Sequence, residues 1–274
     1  MNFLYWNIHK RASFFDAIVE MVCENEVDIL MLAEFHEKKL ELVLEAQLQA
    51  RIPNYHIVPQ IQSNKVVIFS CLKNNTIADI YDSSRLTIKK LYSSVLDESI
   101  NLAICHFYDA HNATAENQSE YAQDVREQIE TIEKKDSCSK TILCGDLNMN
   151  PFDEGVVKAR GFNAVMDKGI ARNEYREVNG NRFMFFYNPM WGFLGDTGKG
   201  DVCGTYYYNP SQPIQYYWHV LDQVLVRPSL LDFFDTNKLR IVTKTTKYNF
   251  ITKQGLIDAK NYSDHLPILF NLNI

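Results

Sequence analysis

The sequence lacks the cysteine arrangements that indicate a structural metal site or a disulfide framework. Its six cysteines are scattered, and none stands in a CxxC pair. The sequence therefore indicates neither a zinc ribbon nor a disulfide-stabilised fold, and free thiols suit a reducing compartment. No apolar run approaches the roughly 18 residues of a membrane-spanning helix. The first residues show no basic segment and no cleavage site, so we expect no signal peptide and a cytoplasmic protein.

Positive charge is also scarce. The 274 residues include 28 Lys and Arg against 34 Asp and Glu, which gives a formal net charge of −6. A protein that holds nucleic acid by its phosphates usually carries a basic face. The balance therefore argues against tight, salt-dependent nucleic-acid binding, although it does not exclude an enzyme whose positive charge is a bound metal ion.

Short apolar runs and amphipathic segments follow one another along the chain, with no internal repeat. The amphipathic segments predict helices at 38–49 and 115–135, and a first helix capped by Ser13 with Asp16 completing a capping box. Across 55–107 the pattern is typical of consecutive antiparallel strands. Further strands are predicted at 3–8, 27–33, 141–144, 220–226 and 266–272. This order suggests two sheets packed face to face with helices outside.

Polar side chains recur where the apolar runs end. A carboxylate, amide or imidazole in such a place is costly unless it is paired or binds something. A single Asp or Asn at a strand end is most often a turn former or a helix cap. The repetition instead indicates one shared pocket at one edge of the sheets. The residues are Asn7, Glu34, His106, Asp146, Asn148, Asp222, Asp264 and His265.

The segments around these residues resemble the endonuclease/exonuclease/phosphatase superfamily, from near the first residue to near the last. The most specific matches are GDLN at 145–148 and SDHLP at 263–267, accompanied by WNI at 6–8, AE at 33–34, CHF at 105–107 and LDQV at 221–224. The resemblance implies an α/β fold, a four-layered α/β sandwich with two packed mixed β-sheets flanked by helices. We expect a single domain over 1–274, with an aromatic-rich loop insertion at about 182–218.

The resemblance also implies a phosphoester hydrolase that uses Mg²⁺, with Mn²⁺ as the alternative. It assigns the position of Glu34 to the metal, and Asn7 could add an amide oxygen. Asp264 could touch the metal or its bound waters. These are the hard oxygen donors that Mg²⁺ prefers. His9 stands where abasic-site endonucleases of the superfamily carry an acidic residue, so the number of metal ions stays open.

The remaining polar residues receive catalytic roles from the same resemblance. His265 would contact the scissile phosphate, and Asp222 would hold the tautomer of its imidazole. Asp146 would orient or deprotonate the attacking water, and Asn148 would bind a phosphate oxygen. His106 resembles the histidine that can protonate the leaving group in pancreatic-type deoxyribonuclease. The alternative for His106 is a core histidine whose nitrogens are satisfied by backbone groups.

Two features bear on the substrate without deciding it. The segment at 182–218 is rich in Phe, Tyr and Trp. It could form a compact loop with its own small core, or a wall beside the site on which bases stack. A third alternative is contact with lipid, but the segment lacks the Lys/Arg-rich flank that would hold anionic lipid. His36 is as consistent with a phosphate contact as with a solvated loop residue.

Three functions follow from these patterns. We predict a nuclease that hydrolyses DNA or RNA with little sequence specificity, so the expected partner is a nucleic-acid substrate. The alternative is a phosphatase or phosphodiesterase for a small phosphorylated molecule or a lipid headgroup, which suits the acidic charge better. An inactive scaffold on the same fold is disfavoured, because every position expected to do chemistry is retained. The sequence indicates no dedicated protein partner.

Overall fold

The computed structural model describes residues 1–35, 37–61, 65–73, 75–109, 112–211 and 213–274. The α-helices are α1 (Phe15–Glu24), α2 (Lys38–Gln49), α3 (Ala115–Lys135), α4 (Glu154–Val157) and α5 (Lys168–Ala171), with 3₁₀ turns at Pro189–Phe193 and Pro228–Leu230. The strands are β1 (Asn2–Asn7), β2 (Ile29–Ala33), β3 (His56–Ile57), β4 (Val66–Ser70), β5 (Ile77–Asp82), β6 (Leu86–Ser93), β7 (Glu98–His106), β8 (Thr141–Asp146), β9 (Ala164–Val165), β10 (Tyr175–Val178), β11 (Asn181–Met184), β12 (Phe186–Tyr187), β13 (Tyr206–Tyr207), β14 (Trp218–His219), β15 (Asp222–Val226), β16 (Arg240–Ile241) and β17 (Ile268–Asn271). Within these ranges, no helix combines the length and the apolar character needed to pass through a bilayer.

The first large sheet is built around β1. Its strand order is β16-β17-β1-β2-β4-β3, with β1 parallel to β2 and antiparallel to β17. Helix α1 makes the crossover that two parallel neighbours require. All five residues of β2 are buried, which explains why its sequence is a continuous apolar run rather than an alternating one.

The second large sheet has β8 at its centre. Its order is β5-β6-β7-β8-β15-β12-β9, and β7 runs parallel to β8 while β15 runs antiparallel to it. The crossover between β7 and β8 is the long helix α3, which Thr114 caps by accepting the amide of Asn117. The strands of both sheets are mixed in direction, as the sequence analysis predicted.

Alternation along the strands places the second sheet between two layers. Ile142 and Cys144 of β8 pack in the core shared with the first sheet, whereas Leu143 packs in the core that includes α3. This is the period of two expected for a strand with both faces covered. Helices α1 and α2 pack with the first sheet. The layers are therefore helix, sheet, sheet and helix, and the predicted α/β sandwich is confirmed.

Three sequence predictions need correction in detail. Helix α1 begins at Phe15 with Phe14 at its N-cap and no side-chain cap, so the predicted cap by Ser13 is wrong. Burial of both phenylalanines fixes the start of this helix instead. The antiparallel run at 55–107 is divided, because β3 and β4 join the first sheet and β5 to β7 the second. Within the aromatic segment, β12 pairs with β15 and β9 of the second sheet, so the segment is not one continuous loop.

Candidate functional site

Three strands of the second sheet bring polar side chains to one edge. Asp146 ends β8 and His106 ends the parallel strand β7, and these two residues are register partners. Asp222 begins β15, which runs antiparallel to β8, and it is also a register partner of Asp146. Register partners on adjacent strands point to the same face of a sheet. The side chains of His106, Asp146 and Asp222 therefore lie side by side on the same face of the second sheet.

The first sheet contributes the other half of the site at the same edge. Asn7 ends β1 in register with Ala33 of β2, and Glu34 follows directly. Because β17 runs antiparallel to β1, the residues just before it, Asp264 and His265, return to this edge. The polar strand ends of the two sheets thus meet at one place, which we call the pocket.

His265 and Asp222 form a buried pair. The Nδ1 atom of His265 lies 2.8 Å from Oδ2 of Asp222. The indole of Trp6 donates to the carbonyl of His265 at 2.8 Å, and the His265 amide donates to the Ser263 hydroxyl at 3.1 Å. The Thr205 hydroxyl oxygen accepts the amide of Asp222 at 3.1 Å. These contacts hold the backbones of His265 and Asp222 in place. The Asp222 carboxylate binds Nδ1 of the His265 ring, which leaves Nε2 facing the pocket.

The charge around His265 favours its protonated form. Burial alone would lower the pKa of His265, but the negative charges of Asp222 and Asp146 raise it to about 10. Burial raises the pKa of Asp222, although its interaction with His265 opposes that change. The pair therefore holds a proton at neutral pH, shared between a carboxylate and an imidazole that hydrogen-bond directly.

Asp146 lies at the centre of the pocket and is buried. Its Oδ1 accepts the backbone amide of Asn148 at 2.9 Å, and its Oδ2 accepts the side-chain amide of Asn7 at 3.0 Å. The same Oδ2 lies 3.8 Å from Nε2 of His106 and 3.9 Å from Nε2 of His265. One carboxylate oxygen consequently faces both imidazoles.

Glu34 closes the opposite side of the pocket. It follows β2 with a φ of 56°, and its amide donates to the carbonyl of Lys65 at 2.8 Å. Its Oε1 lies 3.2 Å from Nε2 of His106 and 3.4 Å from Nδ2 of Asn7. Burial opposes ionisation, but the hydrogen bonds from His106 and Asn7 lower the pKa of this carboxyl to about 2. Glu34 is therefore a carboxylate throughout the physiological pH range.

Asn148 and Asp264 lie at the margin of the pocket. Asn148 has a φ of 49° and donates its side-chain amide to the carbonyl of Phe107 at 3.3 Å. Oδ1 of the half-buried Asp264 lies 3.2 Å from Nδ1 of His9. The structure thus brings every polar residue predicted for the site to one edge of the two sheets. His36, considered above as a phosphate contact, lies outside the described residues.

Arg85 is a neighbour of the site that the sequence did not reveal. Its Nη1 donates to the carbonyls of His106 at 3.2 Å and Phe107 at 3.1 Å, and lies 3.4 Å from Nδ1 of His106. Its guanidinium lies 3.6 Å from the centre of the Tyr108 ring. Arg85 follows a polar turn that carries no motif, and only the pairing of β6 with β7 brings it here. It holds the Nδ1 side of His106 while Nε2 faces Glu34.

The donor set at this edge fits a hard divalent cation. Glu34, Asp146 and Asp264 offer carboxylate oxygens, which suits Mg²⁺ or Mn²⁺, and Asn7 lies between Glu34 and Asp146, to which its Nδ2 donates. Among the described residues, Asp146, Asp222 and His265 form a grouping whose ligand atoms lie within 4.8 Å of one another. In that grouping the imidazole and one carboxylate already satisfy each other through the 2.8 Å hydrogen bond.

The fold is shared with several solved structures. An AP endonuclease from Archaeoglobus fulgidus matches with a TM-score of 0.59 at 15% identity, over 100% of both chains. An endonuclease/exonuclease/phosphatase family protein from Leptotrichia buccalis C-1013-b gives 0.58 at 14% identity, again over 100% of both chains. D. rerio TDP2, complexed with single strand DNA product, gives 0.58 at 13% identity, over 100% of this chain and 99% of that chain. At these identities the likeness establishes the fold alone.

Sequence comparison identifies the family. No curated protein sequence matches the chain. The sequence profile of the Endonuclease/Exonuclease/phosphatase family, however, matches residues 4–265. The match extends over nearly the whole chain and includes all of the polar residues at the site, from Asn7 to His265. The chain therefore belongs to the endonuclease/exonuclease/phosphatase family, whose members are phosphoester hydrolases.

Proposed function

We propose that the chain is a metal-dependent phosphodiesterase that hydrolyses nucleic acid, with residues 1–274 acting as one catalytic domain. The observation that carries this proposal is a continuous network of polar side chains, joined by contacts of 2.8 to 3.9 Å. Its members are Asn7, Glu34, His106, Asp146, Asp222 and His265. Buried clusters of titratable groups of this kind are typical of functional sites rather than of protein cores.

His265 binds a non-bridging oxygen of the scissile phosphate in this proposal. Its Nε2 faces the pocket because Nδ1 is occupied by Asp222. The raised pKa keeps the ring protonated at neutral pH. A cationic donor aimed at the phosphate stabilises the negative charge that grows in the transition state.

Asp146 orients the attacking water and accepts its proton. Its carboxylate is held by the amides of Asn7 and Asn148, so it cannot rotate freely away from the pocket. The side-chain amide of Asn148 binds a second phosphate oxygen when it leaves the carbonyl of Phe107. Together these groups place the water opposite the leaving oxygen.

Glu34, Asn7 and Asp264 would hold Mg²⁺ in the proposed arrangement, with Mn²⁺ as the alternative. The bound ion would supply charge neutralisation at the phosphate and support for the leaving oxygen. Glu34 suits this role because its pKa of about 2 keeps it ionised. The ligand atom of Asn7 would be Oδ1, which accepts the amide of His9 at 3.0 Å and has a second lone pair for the ion.

His106 protonates the leaving oxygen in this proposal. Its Nε2 lies 3.2 Å from Glu34 and 3.8 Å from Asp146, so the ring faces the pocket. A histidine that served only the core would be expected to direct its nitrogens to backbone groups. The contact of Arg85 with Nδ1 leaves Nε2 as the nitrogen available for proton transfer.

Two observations favour nucleic acid as the substrate. One structural neighbour is an AP endonuclease, and another is complexed with single strand DNA product. Exposed aromatic side chains, Tyr208 and Tyr216, lie in the segment that reaches His265. The second candidate is a small phosphorylated molecule, which the formal net charge of −6 favours, because small anions need no extended basic face.

A substrate panel tests the proposed function. The purified chain with Mg²⁺ would be given plasmid, single-stranded DNA, RNA, and small phosphomonoesters and phosphodiesters. We expect cleavage of nucleic acid that stops with EDTA and returns with excess Mg²⁺. Release of phosphate from small molecules alone would support the second candidate and overturn the nuclease proposal. Turnover that persists in EDTA would contradict the metal dependence.

A further inference from the structure

A row of aromatic rings runs from the candidate site into the segment before β15. Neighbouring ring centroids along it lie 4.8 to 6.3 Å apart. These distances are typical of direct contact between aromatic rings. We call this set the aromatic row, and its members in spatial order are Trp191, Phe152, Tyr216, His219, Tyr206 and His265.

The hairpin of β13 and β14 fixes the aromatic row against the site. Tyr206 forms a β-bridge with His265, and their ring centroids lie 4.8 Å apart. Tyr206 also pairs with His219 across the hairpin, and the Thr205 amide donates to the carbonyl of His219 at 2.8 Å. Gly204 permits this approach, because a Cβ there would lie 2.3 Å from that same carbonyl oxygen. The backbone therefore sets the distance between the row and His265.

The middle of the aromatic row is open to solvent. Tyr216 is 58% exposed, and Tyr208, which stacks on Tyr206 with centroids 6.3 Å apart, is 41% exposed. None of these tyrosines has a role in the proposed hydrolysis. Large aromatic side chains exposed on a fixed backbone beside a reactive group form a ready surface for a planar ligand.

The chemistry of this surface selects among nucleic acids. The segment 188–221, which carries most of the aromatic row, contains one lysine, no arginine and two aspartates, and the chain has a formal net charge of −6. Contacts to phosphate therefore supply little of the binding free energy here, and stacking on ring faces supplies more. The faces of bases are accessible in a single strand, whereas in a duplex neighbouring base pairs cover them.

We infer that the aromatic row binds unpaired bases of a single-stranded nucleic acid that flank the phosphate at His265. The inference deepens the proposed nuclease function and rests on it for the reaction that follows binding. Tyr216 and Tyr208 determine the specificity for unpaired bases, because their rings are the ones exposed for stacking. The row consequently selects single strands over duplexes.

Binding measured without hydrolysis tests this inference. The full chain in EDTA would be titrated into a fluorescein-labelled oligodeoxythymidylate, a duplex of equal length, and an abasic phosphodiester strand of equal length. Fluorescence anisotropy is expected to show the tightest binding for the oligodeoxythymidylate. Tyr216→Ala is expected to weaken that binding roughly tenfold, because loss of a stacked base has an effect of this order, and Tyr216→Phe is expected to retain it.

Ile214→Ala is the matched control, because Ile214 is 75% exposed on the same hairpin but lies outside the row. It should bind as the wild type does. The slope of affinity against salt concentration should be the same for wild type and Tyr216→Ala, since no phosphate contact is removed. Tyr208→Ala should also weaken binding, which provides a second variant.

Four results would overturn the inference. The first is that Tyr216→Ala binds the oligodeoxythymidylate as tightly as the wild type, and the second is that Tyr216→Ala and Ile214→Ala lose the same affinity for it. The third is that the wild type binds the abasic strand as tightly as the oligodeoxythymidylate. The fourth is that the wild type does not bind the oligodeoxythymidylate at all. The proposed function fails separately. If the chain binds oligodeoxythymidylate through Tyr216 but cleaves no substrate with Mg²⁺, the inference about the aromatic row stands and the proposed nuclease activity is wrong.

Discussion

Replacing His265 with alanine is expected to lower kcat about 1000-fold with little change in KM. The variant loses the Nε2 donor that faces the phosphate, and removal of one such donor typically lowers kcat by roughly 10²–10³-fold. Substrate binding should persist, because base stacking is assigned mainly to the exposed rings of Tyr208 and Tyr216 and the proposed metal site lies near Glu34. Steady-state hydrolysis of a single-stranded oligonucleotide with Mg²⁺ measures both constants.

His56→Ala is the control for this variant. His56 lies on the short strand β3 and contacts the carbonyl of Asn54 rather than the site, so its loss should leave kcat unchanged. Circular dichroism and thermal unfolding would establish that both variants remain folded. If His265→Ala retained more than a tenth of the wild-type kcat, the imidazole could not have the proposed role.

Asp222→Asn is expected to keep the fold and to lower kcat by roughly 10²–10³-fold, no more than the loss of the His265 donor itself. Asparagine carries no negative charge to stabilise the protonated ring, so His265 would become neutral and the cationic Nε2 donor to the phosphate would be lost. Burial raises the pKa of Asp222, which means that its charge is costly in the folded state. A neutral side chain of the same shape should therefore leave Tm within a few degrees of the wild type.

The imidazole resonances of His265 give a second measurement of the same prediction. Asp222 contributes to raising the pKa of His265 to about 10, so the pKa of His265 should fall clearly in Asp222→Asn. Asp232→Asn is the matched control, because Asp232 pairs with Arg172 on the surface. An Asp222→Asn enzyme with wild-type kcat would show that the His265–Asp222 pair is structural.

The edge where the site forms could be predicted from the sequence for a physical reason. Asn7 and Asp146 each end an apolar run, and such runs form buried strands because their side chains have no favourable exposed arrangement. The ends of parallel strands meet at one edge, so Glu34 and His106 follow from the same pattern. The register that sets Asp222 opposite Asp146 depends on pairing between strands far apart in the chain, and no local signal encodes it.

Other features lay beyond prediction because tertiary packing decides them. Arg85 reaches His106 only through the pairing of β6 with β7. The start of α1 depends on burial of Phe14 rather than on the capping preference of Ser13. The aromatic segment allowed three interpretations, because its composition is the same whether the rings fill a core or face solvent. Only the hairpin of β13 and β14 directs Tyr216 outward.

The position of the metal ion is the central claim, and anomalous scattering from crystals soaked in Mn²⁺ tests it most directly. The account predicts one difference peak within coordination distance of the carboxylate of Glu34 and the amide oxygen of Asn7, and its loss in Glu34→Gln crystals. A peak held by Asp146, Asp222 and His265 in place of Glu34, or a peak that survives Glu34→Gln unchanged, would contradict the assignment of roles at this site.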